Sequence, residues 1–129
     1  MHERRLIAIG AVLMMAGVGA GAFGAHGLKR LIEPDMLAVW QTAVLYQLVH
    51  ALGMLLAALL AAHYSISLFR RAGAVMLAGI VIFSGSLYVL VLSDIRWLGA
   101  ITPIGGVAFI IAWAMVAVAA WRLGGRAKK

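Results

Sequence analysis

The chain has 129 residues, of which 65% are apolar and 12% charged, with no cysteine and a formal net charge of +7. An ordinary soluble domain stays near half apolar and carries about a quarter charged residues, and a chain this short buries only a modest fraction of its surface. These figures exclude a soluble enzyme domain, a disordered tail and a disulfide scaffold, and they point to a membrane protein.

Residues 6–26 form the first expected span. They follow Arg4 and Arg5, contain an uncharged run from Leu6 to Ala25, and stop at His26-Gly27-Leu28-Lys29-Arg30. Gly27 suits the left-handed residue just past a helix end, with the two cations complementing the helix dipole. A basic start and Ala20-Gly21-Ala22 also fit a cleavable signal peptide, but three further spans favour a retained helix. The second span covers residues 36–62. Pro34 opens its helix, where a missing N–H costs nothing, and Asp35 sits at the positive end. Residues 72–93 form the third, between Arg70-Arg71 and Asp94-Ile95-Arg96. Residues 103–121 form the fourth, with Thr102 as an N-cap and Pro103 in the first turn. A crossing needs about 20 apolar residues. The expected fold is therefore all-α: one domain over residues 1–129, with four transmembrane helices in a compact bundle.

With four crossings, the N-terminus, the second loop and the C-terminus share one side. That side carries Arg4, Arg5, Arg70, Arg71, Arg122, Arg126, Lys128 and Lys129, eight of the 11 basic residues, against Lys29, Arg30 and Arg96 on the other. Positive charge stays cytoplasmic, so both termini are expected inside. Trp40, Trp97 and Trp121 fall near helix ends, as an aromatic belt requires. The net charge is thus mostly topology, and nucleic acid is not an expected partner.

The second span carries the most polar side chains. At about 100° per residue, Thr42, Tyr46, Gln47 and His50 share one arc. Leu45, Leu48, Leu52, Leu55, Leu56 and Leu59 fill the opposite arc and are expected to face lipid. On the third span Ser84 and Tyr88 share a face, and Ser86 lies on another. Together these residues make either an interhelical hydrogen-bond seam, the favoured reading, or a polar cavity. Gly10, Gly17, Gly21 and Gly24 form a stripe on the first span that lets another helix approach closely, within the chain or in a homodimer. Gly19, Gly21 and Gly24 match a dinucleotide-binding pattern literally, but inside an apolar span the match has no such meaning.

Catalytic, metal and cofactor sites are not expected. Glu3, Glu33, Asp35 and Asp94, the four acidic residues, all lie at termini or in loops, which disfavours proton-coupled export and removes the carboxylate a Ser–His hydrolase would need. A bis-histidine haem requires matching depths, and His50 lies roughly 10–20 Å deeper than His26.

Four segments, taken together, carry a family resemblance. They are Gly21-Ala22-Phe23-Gly24-Ala25-His26-Gly27-Leu28-Lys29, Tyr46-Gln47 with His50-Ala51-Leu52, Phe83 to Tyr88, and Ile101-Thr102-Pro103-Ile104-Gly105-Gly106. In this order the chain resembles the small bacterial inner-membrane proteins called domain of unknown function 423. The resemblance implies four spans and a multi-pass location in the inner membrane, and it supplies no activity, substrate or catalytic residue. The expectation for function is a non-enzymatic accessory or packing unit that binds lipid or partner helices, with the bilayer, a second copy or another membrane protein as its partners. The alternative is a small-solute carrier or channel lined by Thr42, Gln47, His50, Ser84 and Tyr88. The charge split generates a direct test. A reporter fused to the C-terminus is expected to be active only in its cytoplasmic form, and activity of a periplasmic reporter there overturns the assigned orientation.

Overall fold

A computed structural model describes residues 1–126, so Lys128 and Lys129 of the eight-cation side lie outside the described residues. Four helices follow in chain order: α1 (Glu3–Ala25), α2 (Pro34–Tyr64), α3 (Ser67–Ser93) and α4 (Thr102–Arg126). Single 3-10 segments, Leu28–Arg30 and Arg96–Ala100, lead into α2 and α4. Among the described residues there is no strand, and all four helices are long and apolar enough to cross a membrane. Toward the end that carries both termini, α2, α3 and α4 extend past their apolar spans, because helical hydrogen bonding does not stop at the hydrocarbon boundary.

The turns depart from expectation in two places. Gly27 is right-handed, with φ −72°, and the chain continues past α1 into a 3-10 turn that buries Leu28. The left-handed residues are Ser65 and Asp94, φ 55° and 57°, which close α2 and α3. Each sends its N–H back to the carbonyl four residues earlier, Ser65 to Ala61 and Asp94 to Leu90, as a left-handed helix cap does. Thr102 does not cap α4 from outside. It is the helix's first residue and is buried, because its hydroxyl turns to Ser86 Oγ on α3 at 2.7 Å.

Helices α2 and α3 form the centre, with α1 packed on α2 and α4 on α3. The contact between α1 and α2 is made by glycine. Gly10, Gly17 and Gly24 recur every seven residues and are buried, the spacing that keeps one helix edge against a neighbour. A Cβ would lie 3.1 Å from Leu55 Cδ2 at Gly10, 2.7 Å from Leu48 Cδ2 at Gly17, 3.3 Å from Val44 Cγ1 at Gly21 and 2.7 Å from Trp40 Cδ1 at Gly24. The stripe is therefore used within the chain. Leu48 and Leu55, expected toward lipid, are partly buried because their tips enter the hollows above Gly17 and Gly10. Leu45, Leu52, Leu56 and Leu59 are exposed on the outer face.

The α3–α4 contact works differently. Each helix offers a glycine and, four residues later, a phenylalanine: Gly79 with Phe83, and Gly105 with Phe109. With the helices antiparallel, the Phe109 ring covers Gly79, while Gly105 sits against the backbone and Cβ of Phe83. A Cβ at Gly79 would fall 2.5 Å from Phe109 Cδ1, and one at Gly105 would fall 2.5 Å from the Phe83 backbone nitrogen. Near the termini α1 also reaches α3, where Leu6 packs over Gly73 and Glu3 pairs with Arg70 at 3.0 Å.

These hollows differ in what lines them, which sets the cost of filling them. At Gly105 the obstacle is backbone, so Gly105→Ala is expected to destabilise by about 1–3 kcal/mol, the usual penalty of overpacking. Gly19 faces open space, and Gly19→Ala is expected to be neutral or stabilising by up to about 1 kcal/mol through helix propensity. Thermal unfolding of both variants in one detergent measures the contrast, and equal melting points overturn the close-contact account of Gly105.

Candidate functional site

The polar side chains of α2 and α3 divide into three groups. The first centres on Gln47, which is 4% exposed. Its Nε2 donates to Leu13 O on α1 at 2.8 Å, and its Oε1 accepts from Tyr88 Oη on α3 at 2.6 Å. Trp40 lies beside it, donates Nε1–H to Ala20 O on α1 at 2.9 Å, and packs its ring on Tyr88 with centroids 4.7 Å apart. Trp40 is therefore buried between helices and is no interfacial anchor, unlike the exposed Trp97 and Trp121.

Glycine explains why these carbonyls can be reached. A helical side chain covers the turn before its own Cα, so the residue four positions on shelters a given carbonyl. For Leu13 that residue is Gly17, and for Ala20 it is Gly24. Each carbonyl keeps its own helical bond and offers its second lone pair to a donor on α2. Close approach and hydrogen bonding are thus two uses of one substitution, the missing Cβ.

The second group surrounds His50, also 4% exposed. Trp113 Nε1 on α4 donates to its Nε2 at 3.0 Å, which requires the proton on Nδ1, and Nδ1 donates to Tyr46 O at 2.8 Å. Both ring nitrogens of the neutral ring are therefore occupied. The imidazole lies flat on Phe109, with centroids 3.5 Å apart and planes at 12°, and Tyr46 stacks on Phe83 at 4.5 Å beside it. The third group pins α3 to its two neighbours. Ser84 Oγ donates to Ala43 O on α2 at 2.7 Å, and Ser86 Oγ shares a hydrogen bond with Thr102 on α4.

Thr42 belongs to none of these groups. It sits at the edge of the polar arc, beyond the reach of α3 and α4, exposed and bonded to Ala38 O of its own helix. The five residues expected to line a solute path therefore do not surround one space: Gln47, Ser84 and Tyr88 face the α1–α3 side, His50 faces α4, and Thr42 faces outward. Trp113 and Thr102, which complete the bonds of His50 and Ser86, escape a reading of single-helix periodicity, since neither signals its partner along the chain.

Spaces open on two sides of these residues, one of about 290 Å³ beside Leu45, Tyr46, Val49 and His50 and another between α1 and α3. From Leu13 onward α1 and α3 are separated by a groove of about 350 Å³ that runs over α2. Leu13, Ala16 and Ala20 form one wall, Ile80, Val81 and Gly85 the other, and Gln47, Trp40, Ser84 and Tyr88 contribute to its lining. The polar groups of that lining bond to each other or to helix carbonyls, so the groove presents mainly hydrocarbon. Gly85 adds free room, because a Cβ there meets nothing within 4 Å. The composition of single helices hid this groove, since its walls are ordinary aliphatic and small residues.

Four membrane-length helices closed by glycine contacts and interhelical hydrogen bonds define a polytopic integral membrane protein. The chain belongs to the family described as protein of unknown function DUF423, whose sequence profile matches residues 20–106. It is 54% identical over 115 residues to the UPF0382 membrane protein YwdK of Bacillus subtilis (strain 168), covering 88% of this chain and 94% of that one. A UPF0382 membrane protein of Staphylococcus aureus (strain bovine RF122) is 48% identical over 119 residues, covering 92% and 97%. Another from Staphylococcus saprophyticus is 45% identical over 117 residues, covering 91% and 97%. No solved structure matches the chain.

The Tyr88–Gln47 bond predicts energetic coupling. Tyr88→Phe and Gln47→Leu are each expected to destabilise, and the double variant is expected to lose less than their sum by about 0.6 kcal/mol, the average for hydrogen bonds between membrane helices, and by at most about 1.7 kcal/mol. Unfolding free energies of the four proteins test this, and strict additivity overturns the bond's contribution.

Proposed function

We propose that the protein is a non-enzymatic packing unit of the bacterial inner membrane, oriented with both termini in the cytoplasm, whose α1–α3 groove holds the acyl chain of a membrane lipid. The observation that carries this reading is the groove itself. Its volume of about 350 Å³ falls in the range of small-ligand pockets, which are mostly apolar with a few polar groups. It opens sideways between exposed Ala16 and Val81, toward the hydrocarbon, where lipid chains are the available occupant. A solute arriving from water would meet no unsatisfied polar group on the way in. Support against catalysis comes from the same bonds: the Ser84 hydroxyl is committed to Ala43 O, and the lone pair of His50 to Trp113.

The test fills the groove without disturbing the helix contacts. Gly85→Leu is expected to lower the phospholipid retained in mild detergent several-fold, read by native mass spectrometry, while thermal stability holds. Gly19→Leu places the same side chain where a Cβ also meets nothing, but away from the groove, and is expected to retain lipid as the parent does. Equal retention by Gly85→Leu and the parent, or a parent protein that retains no lipid, overturns the reading.

A further inference from the structure

Another cavity lies at the end that carries both termini, remote from the groove. It encloses about 250 Å³ between the α2–α3 connection and the last turns of α4, lined by Ser65, Ile66, Ser67, Leu68, Arg122 and Arg126. We infer that this cavity binds the phosphate of an anionic phospholipid headgroup.

Three observations converge on that ligand. The first is charge without a counter-charge. On the other side of the same connection Arg70 is paired with Glu3 at 3.0 Å, but among the described residues neither Arg122 nor Arg126 has an ion-pair partner. One helical turn apart, both arginines line the same cavity, and guanidinium is the side-chain group that matches a phosphate with paired N–H donors. The second is an unused set of neutral donors. Ser65 and Ser67 are among the residues that line the space, as they also line the neighbouring one beside Glu3 and Arg70, and α3 begins there with no side-chain cap. The left-handed Ser65, φ 55°, reverses the chain within two residues and so brings the α3 start beside α4.

The third observation sets the depth. Trp121, the residue before Arg122, is 87% exposed, and Tyr64, the residue before Ser65, is 41% exposed. Exposed tryptophan and tyrosine at helix ends sit at headgroup level, so both rims of the cavity stand at the height of lipid phosphates. Topology alone would be served by cations anywhere on this face, and Arg4, Arg5 and Arg71 already supply them. It does not require two arginines and two serines around one space. Basic pockets between helices at this level are the chemistry by which membrane proteins hold anionic headgroups.

The test uses the full chain in zwitterionic phosphatidylcholine nanodiscs, with phosphatidylglycerol titrated in and binding read by native mass spectrometry. Arg122→Gln with Arg126→Gln is expected to reduce the preference for phosphatidylglycerol about tenfold. Arg4→Gln with Arg5→Gln removes the same charge from the same face and is expected to change it little. All four positions are exposed, and unchanged thermal unfolding confirms that both variants fold. Equal losses in the two variants, or no loss in either, overturn the site. Displacement of phosphatidylglycerol from the parent protein by millimolar inorganic phosphate overturns the lipid assignment and makes the occupant free phosphate.

Discussion

Hydrocarbon offers no water to a helix, so a polar side chain at membrane depth must find its partner within the protein. In this chain the nearest available partners are the second lone pairs of backbone carbonyls, which a neighbouring side chain normally covers. Removing a Cβ at Gly17 and Gly24 uncovers Leu13 O and Ala20 O for Gln47 and Trp40. The same missing atoms admit Leu48 and the Trp40 ring to the α1 surface. Helix spacing, burial of the Gln47 amide and the position of Trp40 are therefore one solution. The groove follows from it, because a side chain of ordinary size at Gly17 would push α1 away from the lining that Gln47 and Trp40 provide.

The two halves of the molecule close by different means. The α1–α2 pair is asymmetric, with one helix giving the small residues and the other the large ones. The α3–α4 pair is reciprocal, with Gly79 under Phe109 and Gly105 against Phe83. It brings the two helices into close contact, and its Phe109 ring lies on His50. The asymmetric pair sets α1 against α2, and α1 meets α3 near Leu6 and Glu3. An aromatic side and a grooved apolar side result.

Much of the architecture was legible along the chain. Uncharged runs between charged clusters mark four helices, and the seven-residue recurrence of Gly10, Gly17 and Gly24 marks the α1 face that is buried. The polar arc of α2 placed Gln47 and His50 inward correctly, but it could not divide them between α1 and α4, because a periodicity defines a face and not the neighbour it meets. Thr42 and Trp40 show the limit of that arithmetic. Thr42 lies within the arc but past the edge of the contact, and Trp40 looks like an interfacial residue until Gly24 is found to leave room for its ring. The Gly79–Phe83 and Gly105–Phe109 pairs were readable in principle, since the same spacing on two antiparallel helices is self-complementary. Arg122 and Arg126 read as topology until the two-residue connection brought the start of α3 beside them.

That two-residue connection also bears on how the protein is made. Closing a short loop costs little entropy, so α2 and α3 can pair as a hairpin once both have left the translocation machinery. The glycine face of α1, although synthesised first, has no partner until Trp40, Val44, Leu48 and Leu55 have entered the bilayer. Through that interval α1 rests against lipid with Leu13 O and Ala20 O uncovered. The glycine face of α1 therefore waits for α2 alone, since every side chain that fills its hollows comes from that one helix.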